Sequence, residues 1–220
     1  MIQIKSFEFN DFAENTYILY DETCECVIID PGCYNISEKN QLQGFIEDRK
    51  LKVVKLLNTH CHIDHVLGNA FVKETYDVSL IIHPKDEVTL EAVKVYAPVY
   101  GFNNYEEAKA DGFMVEGDQL TFGSSILNVI FVPGHAPGHV AFVSENQQFC
   151  IGGDVLFLKS IGRTDLPGGD LDTLIESIHQ KMFILDDATV VYPGHGPTTK
   201  IGAEKLYNPY CAIATKRGEI

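Results

Sequence analysis

Four side chains able to bind a metal ion fall within six residues of the stretch Thr59-His60-Cys61-His62-Ile63-Asp64-His65. Histidine offers a neutral nitrogen and aspartate an oxyanion, a donor set suited to one or two divalent cations, zinc first, with iron or manganese as alternatives. In locally extended backbone, residues i and i+2 project to the same side, so His60 and His62 can converge on one ion. Asp64 and His65 lie past that pair. One small ion does not readily take all four donors along with a water, so the spacing suggests a second ion nearby with its own ligands. Candidates to complete the two sets are His135, Asp154 and His195, which end Phe131-Val132-Pro133-Gly134-His135, Cys150-Ile151-Gly152-Gly153-Asp154 and Val191-Tyr192-Pro193-Gly194-His195. Each follows an apolar run and a glycine, at the rim of a sheet, where strands fix a polar side chain and loops leave it open to a substrate. Asp64 and Asp154 are also the candidate catalytic carboxylates. Metal ions held here would lower the pKa of a bound water from about 15.7 toward about 7, which makes hydrolysis of a small molecule the expected chemistry.

The remaining histidines and the cysteines read differently. His83, beside Pro84 at a strand end, and His179, inside a helix, are expected to be structural, and His139 to pack or hydrogen-bond near the site. The six cysteines form no CxxC pair, so neither a disulfide framework nor a zinc ribbon is expected. They read as small buried apolar residues, Cys61 being a spacer whose side chain points away from the histidines around it.

The elements that must position these groups are legible as apolar patterns. Strands are expected at Ile2 to Phe9, Thr16 to Tyr20, Cys26 to Ile29, Val53 to Leu57 and Ser79 to His83, and in the second half at Asp118 to Phe122, Ile126 to Val132, His139 to Val143, Gln148 to Ile151 and Thr189 to Tyr192. Helices are expected from Ser37 to Arg49, from about Val66 to Tyr76, after Pro84, from about Leu171 to Ile184 and after Thr199. Strand meanders interleaved with helices point to two sheets packed face to face with helices outside.

With 220 residues, 45% of them hydrophobic and 22% charged, the chain reads as a single globular domain over 1–220. A formal charge of -14 repels phosphate backbones and anionic membranes, so neither nucleic acid nor membrane is an expected partner. No cationic head with an apolar run opens the sequence and no stretch approaches about 18 apolar residues, so the cytoplasm is the expected location. The sequence does not specify an oligomeric state.

Taken together, Thr59-His60-x-His62-x-Asp64-His65, Gly134-His135-x-Pro137-Gly138-His139, Gly153-Asp154 and Gly194-His195-Gly196 resemble the metallo-β-lactamase fold superfamily. Within it, Gly153-Asp154-Val155-Leu156-Phe157, Ser160-Ile161-Gly162-Arg163-Thr164-Asp165 and the ending Gly196-Pro197-Thr198-Thr199 through Asn208-Pro209 are similar to the short glyoxalase II-like (hydroxyacylglutathione hydrolase-like) proteins. The resemblance implies an α/β, four-layer αββα sandwich with metals at one edge between the sheets. It assigns His60, His62 and His135 to a first metal, Asp64, His65 and His195 to a second, and Asp154 to a bridge. The implied reaction is hydrolysis of an S-acylglutathione-type thioester, with Arg163 a candidate for the substrate's anionic end. Pro197 stands where those enzymes carry an aromatic residue, and the stretch after His195 is short of their helical C-terminal extension, both of which bear on glutathione. Two alternatives share the resemblance: a persulfide dioxygenase using one iron on His60, His135 and Asp154, and a lactonase or other hydrolase with the same ligands.

Overall fold

In the computed structural model, which describes residues 1–213, strand pairing divides the chain into two sheets of six strands. The first sheet runs in chain order: β1 (Gln3–Phe9), β2 (Glu14–Tyr20), β3 (Glu25–Ile29), β4 (Lys52–Leu57), β5 (Leu80–Ile82) and β6 (Gly112–Phe113). β1 to β3 form an antiparallel meander, and β3 to β6 pair parallel through crossovers carrying α1 (Ile36–Asp48), α2 (Ile63–Val66), α3 (Asn69–Tyr76) and α4 (Glu87–Tyr96). The second sheet contains β7 (Gln119–Phe122), β8 (Ser125–Phe131), β9 (Val140–Ser144), β10 (Phe149–Gly153), β13 (Val190–Pro193) and β14 (Thr199–Lys200), in the order β14-β13-β10-β9-β8-β7. A small hairpin of β11 (Leu156–Phe157) and β12 (Ser160–Ile161), then α5 (Leu171–Ser177), lie between β10 and β13, and α6 (Ile201–Tyr207) follows β14.

The alternation of side chains along the strands builds the layers. In β2, Tyr17 and Leu19 face the second sheet while Ile18 and Tyr20 face the helices; in β3, Val27 and Ile29 face inward and Cys26 and Ile28 outward. β9 does the same from the other side, Val140 and Phe142 meeting the first sheet and Ala141 and Val143 packing under α5. Strands buried on both faces need near-continuous apolar runs, which is why these segments do not alternate with polar residues. The outer layers close with Leu42 and Ile46 of α1 and Leu90 and Val93 of α4 over one sheet, and Leu174 and Ile201 over the other. The result is the expected αββα sandwich. Five of the six cysteines are buried, Cys61 among them in the core between the first sheet and its helices.

Two helices differ from the sequence expectation. The helix read from about Val66 to Tyr76 begins at Asn69, Val66 instead closing the separate turn α2, because the Gly68 N–H donates to the Pro31 carbonyl (2.7 Å) and leaves the helical ladder. The helix read from Leu171 to Ile184 ends at Ser177 and continues as a wider turn over Ile178–Met182, with the Phe183 N–H bonded to the Ile178 carbonyl at 2.8 Å. The short strands β6, β11, β12 and β14 escape pattern reading because two residues have no periodicity. No helix among the described residues is long and apolar enough to cross a membrane.

Candidate metal centre

β3 and β4 are parallel and end side by side, so the loops leaving them share one edge of the sheet. Asp30, just past β3, organises the loop just past β4. Its carboxylate accepts from the Thr59 N–H (2.7 Å), the Thr59 hydroxyl (2.6 Å) and the Asn58 amide (3.3 Å), and faces His65 Nδ1 at 3.1 Å. The loop so held carries His60 and then His62, which in extended backbone caps α2, whose single turn presents Asp64 and His65. From the second sheet, His135 follows β8, Asp154 follows β10 and His195 follows β13. The His195 loop is tied across to the start of β2 by the Asn15 N–H to the Gly194 carbonyl (2.7 Å) and the Tyr17 hydroxyl to the Pro193 carbonyl (2.6 Å). Gly194 must be glycine here: a Cβ would lie 2.1 Å from Asp154 Oδ1 and 2.6 Å from His65 Cε1.

All seven predicted side chains are brought to this one edge, in two trios. His60, His62 and His135 converge: His62 Nδ1 lies 2.8 Å and His60 Nε2 3.2 Å from His135 Nε2. Asp64, His65 and His195 form the second trio, Asp64 Oδ2 being 3.0 Å from His195 Nε2 and 3.5 Å from His65 Nε2. Asp154 lies between them, with Oδ2 3.6 Å from His135 Nε2 and 3.4 Å from His195 Nε2, and Oδ1 3.5 Å from His65 Nε2. Asp30, His60 and His65 also cluster, but the Asp30 carboxylate is spent on the hydrogen bonds above, which makes it an orienting group.

Whether these residues suit a cation follows from where their protons must be. A carbonyl oxygen only accepts, so His135 Nδ1, 2.7 Å from the Arg163 carbonyl, and His195 Nδ1, 3.1 Å from the Phe12 carbonyl, carry hydrogen. The Asp30 carboxylate fixes His65 in the same way, and His60 Nδ1 donates to the Thr59 hydroxyl oxygen, whose proton goes to Asp30. Each of these four rings therefore turns Nε2, the nitrogen left to take a proton or a cation, toward the centre. Lone pairs of nitrogen and carboxylate oxygen facing one another at these distances repel unless a proton or a cation lies between them. His65 Nε2 and Asp154 Oδ1 are buried with no hydrogen-bond partner, as unfilled ligand atoms would be. The residues present fit divalent metal.

The protonation behaviour divides the trios. Burial, and then its histidine neighbours, hold His60 well below the usual histidine range; burial takes His62 down to about 3 and lowers His135. Burial also opposes charge on His65 and His195, but the Asp64 and Asp154 carboxylates outweigh it, raising His65 and lifting His195 to about 10. The same contacts keep Asp64 and Asp154 low in spite of burial.

The other histidines are accounted for. His139 is fully buried, stacks on His60 with ring centroids 4.7 Å apart, and accepts the Asp154 N–H at 3.0 Å, positioning one candidate ligand from each side of the centre. His83 stacks on Phe131 and His179 Nε2 bonds the Cys211 carbonyl, and neither belongs to the donor trios. Sequence reading missed Asp30 and Asp86. Asp86, fully buried, accepts the Cys61 N–H on Oδ2 and the Gly138 N–H on Oδ1, each at 2.7 Å, and so ties the loop of His60 and His62 to the loop after His135. Burial pushes its carboxyl up to about 6 even though both N–H groups pull it down. The signal was present, a polar residue just past an apolar strand at Asp30 and a helix-opening carboxylate at Asp86, but such residues are ordinarily turns and caps.

The centre opens into a cleft of about 980 Å³ that His62, Asp64, His135, Asp154 and His195 help to line. Two cations reach it. The Arg163 guanidinium is held by Asp165 through two hydrogen bonds of 2.7 Å, whereas Lys85 makes no ion pair among the described residues and sits 4.9 Å from the centroid of the Phe131 ring.

Two sheets, outer helices and a rim of histidine and aspartate define a metal-binding αββα protein. The comparison with known proteins then names it: residues 10–195 match the metallo-beta-lactamase superfamily, and the chain belongs to that superfamily of metal-dependent hydrolases. It is 36% identical over 201 residues to hydroxyacylglutathione hydrolase GloC of Haemophilus influenzae, covering 90% of this chain and 93% of that one. Among solved structures it is similar to the BLEG-1 B3 metallo-beta-lactamase (TM-score 0.86, 34% identity, 95% of this chain and 99% of that one). It is also similar to TTHA1623 in a di-iron-bound form (TM-score 0.84, 32% identity, 94% and 99%).

Proposed function

We propose that this chain hydrolyses acyl thioesters of the S-acylglutathione type at a centre of two divalent metals, with His60, His62 and His135 holding one, Asp64, His65 and His195 the other, and Asp154 shared. The observation that carries the reading is the pair of donor trios joined by Asp154, with His62, Asp64, His135, Asp154 and His195 lining an open cleft. When bound, the metals supply Lewis acidity that makes water a nucleophile near neutral pH and polarises a carbonyl. The chain's own part is to fix the donors: Asp30 orients His65, and the Arg163 and Phe12 carbonyls orient His135 and His195. Lys85, without an ion pair among the described residues, and Arg163, paired with Asp165, are the cations that line the cleft for an anionic end of the substrate.

The leaving group follows from what the cleft lacks. Among the described residues, the only carboxylates lining it are Asp64 and Asp154, and both face histidine nitrogens of the centre. With neither carboxylate free to protonate a leaving group, the favoured bond is one whose leaving group departs as an anion, and a thiolate does so because its conjugate acid has a pKa of about 8.5. In the overall reaction water oxygen bonds to the acyl carbon, the carbon–sulfur bond breaks, and the products are a carboxylate, a thiol and one proton. The likeness to hydroxyacylglutathione hydrolase GloC supports the same substrate class.

Elemental analysis of the purified protein, together with thiol release from S-D-lactoylglutathione and other acylglutathiones, tests this reading. Hydrolysis that collapses in His60→Ala supports it. Oxygen uptake on glutathione persulfide with one iron per chain, or metal-loaded protein inert to every thioester, overturns it.

A further inference from the structure

The cleft offers a reacting acyl group far more apolar surface than a small hydroxyacyl unit can use. Along one wall, α4 presents Val88, Ala92 and Tyr96, spaced four residues apart and so stacked on one helical face. Facing the same space are Phe157 and Ile161 of the small hairpin and Leu166 beyond it. Most of the α4 stripe lies outside the core: Leu90 and Val93 on the other side of the helix are buried, Val88 is 75% exposed and Ala92 is exposed, while Tyr96 packs partly against the core. An apolar stripe left in water costs free energy that burial against a ligand recovers. It borders the donor residues in one continuous cavity, so whatever carbonyl sits at the metals has its substituent within reach of this wall. Ala92, the smallest side chain of the stripe, lies one helical turn from Val88 on one side and from Tyr96 on the other.

Resting on the thioesterase reading, we propose that this wall is an acyl-binding subsite, that the enzyme prefers thioesters of apolar acyl groups to small hydroxyacyl ones, and that Ala92 sets the length accepted. A glutathione-type carrier, anionic and polar, then lies outside the apolar wall, while the alkyl part of the acyl group covers Val88 and Tyr96.

Two measurements on the metal-loaded full chain test the proposal. In the first, kcat/KM is compared for S-acetyl-, S-lactoyl-, S-butanoyl- and S-hexanoylglutathione. It is expected to rise by about two- to fourfold per added methylene, with lactoyl no better than acetyl, and Ala92→Trp is expected to lower the hexanoyl-to-acetyl ratio by about tenfold or more. A profile that is flat or that peaks at lactoyl overturns the proposal while leaving the thioesterase reading standing. In the second, calorimetry measures binding of S-methyl- and S-hexylglutathione, which cannot be hydrolysed. Tighter binding of the hexyl compound, lost in Ala92→Trp, supports the subsite even if no thioester is turned over, an outcome that sinks the catalytic reading alone. Equal binding of the two compounds counts against the subsite.

Discussion

The two trios use the same imidazole ring in opposite electrical surroundings. His60, His62 and His135 meet one another, so any proton on one is opposed by burial and by its neighbours, and all three are poor bases. His65 and His195 meet Asp64 and Asp154, and hold protons tightly. A cation entering the first trio finds ready lone pairs; one entering the second must displace protons that already neutralise the carboxylates. Asp154 is the one group that belongs to both.

That difference can be broken most severely at its shared member. Asp154→Ala is expected to lower kcat/KM by about 10³-fold or more and to reduce metal content at both trios by elemental analysis. Loss confined to one trio would show that Asp154 is not shared. Acid should next separate the trios. His195, lifted to about 10, and His65, also raised, release protons when metal binds, so affinity at the second trio should rise by about tenfold per pH unit for each proton displaced. His62, taken down to about 3, is neutral across that range, so affinity at the first trio should hardly change between pH 6 and 8. Stepwise metal titration at the two pH values reads this directly, and parallel shifts would remove the distinction.

Asp86 offers a smaller and more selective perturbation. Asp86→Asn retains the shape but turns one donor toward a backbone N–H, loosening the loops that carry His60, His62 and His135. Metal affinity should fall by about 10- to 100-fold at the first trio and little at the second, again by titration. The smallest effect concerns the metal-free chain. Because the folded pKa of His195 is above its unfolded value of about 6.5, its stabilisation is full below that value and is lost as pH rises through about 10. The melting midpoint measured in chelator should decline over that interval, and the decline should flatten in His195→Gln.

How much of this was readable in the residues varies along the chain. The HxHxDH run declared itself because four donors in six residues have few other uses, and the apolar runs of β2, β3, β9 and β10 gave the sheets because strands buried on both faces admit little else. The break at Gly68 did not show, since it depends on a carbonyl supplied by Pro31. Asp86 stayed hidden for the same reason: its partners, Cys61 and Gly138, lie 25 and 52 residues away.

The sequence by itself determined which side chains could bind metal, the strands that end just before them and the family to which they belong. Only the tertiary structure decided that the two trios have opposite affinity for protons, that Asp30 and Asp86 hold the loops that carry them, that Arg163 pairs with Asp165, and that the cleft has an apolar wall. Donor identity is a property of single residues. Proton affinity, pairing and cavity shape come from groups distant in the chain brought within a few ångströms, where burial and Coulomb interactions are strong enough to set them.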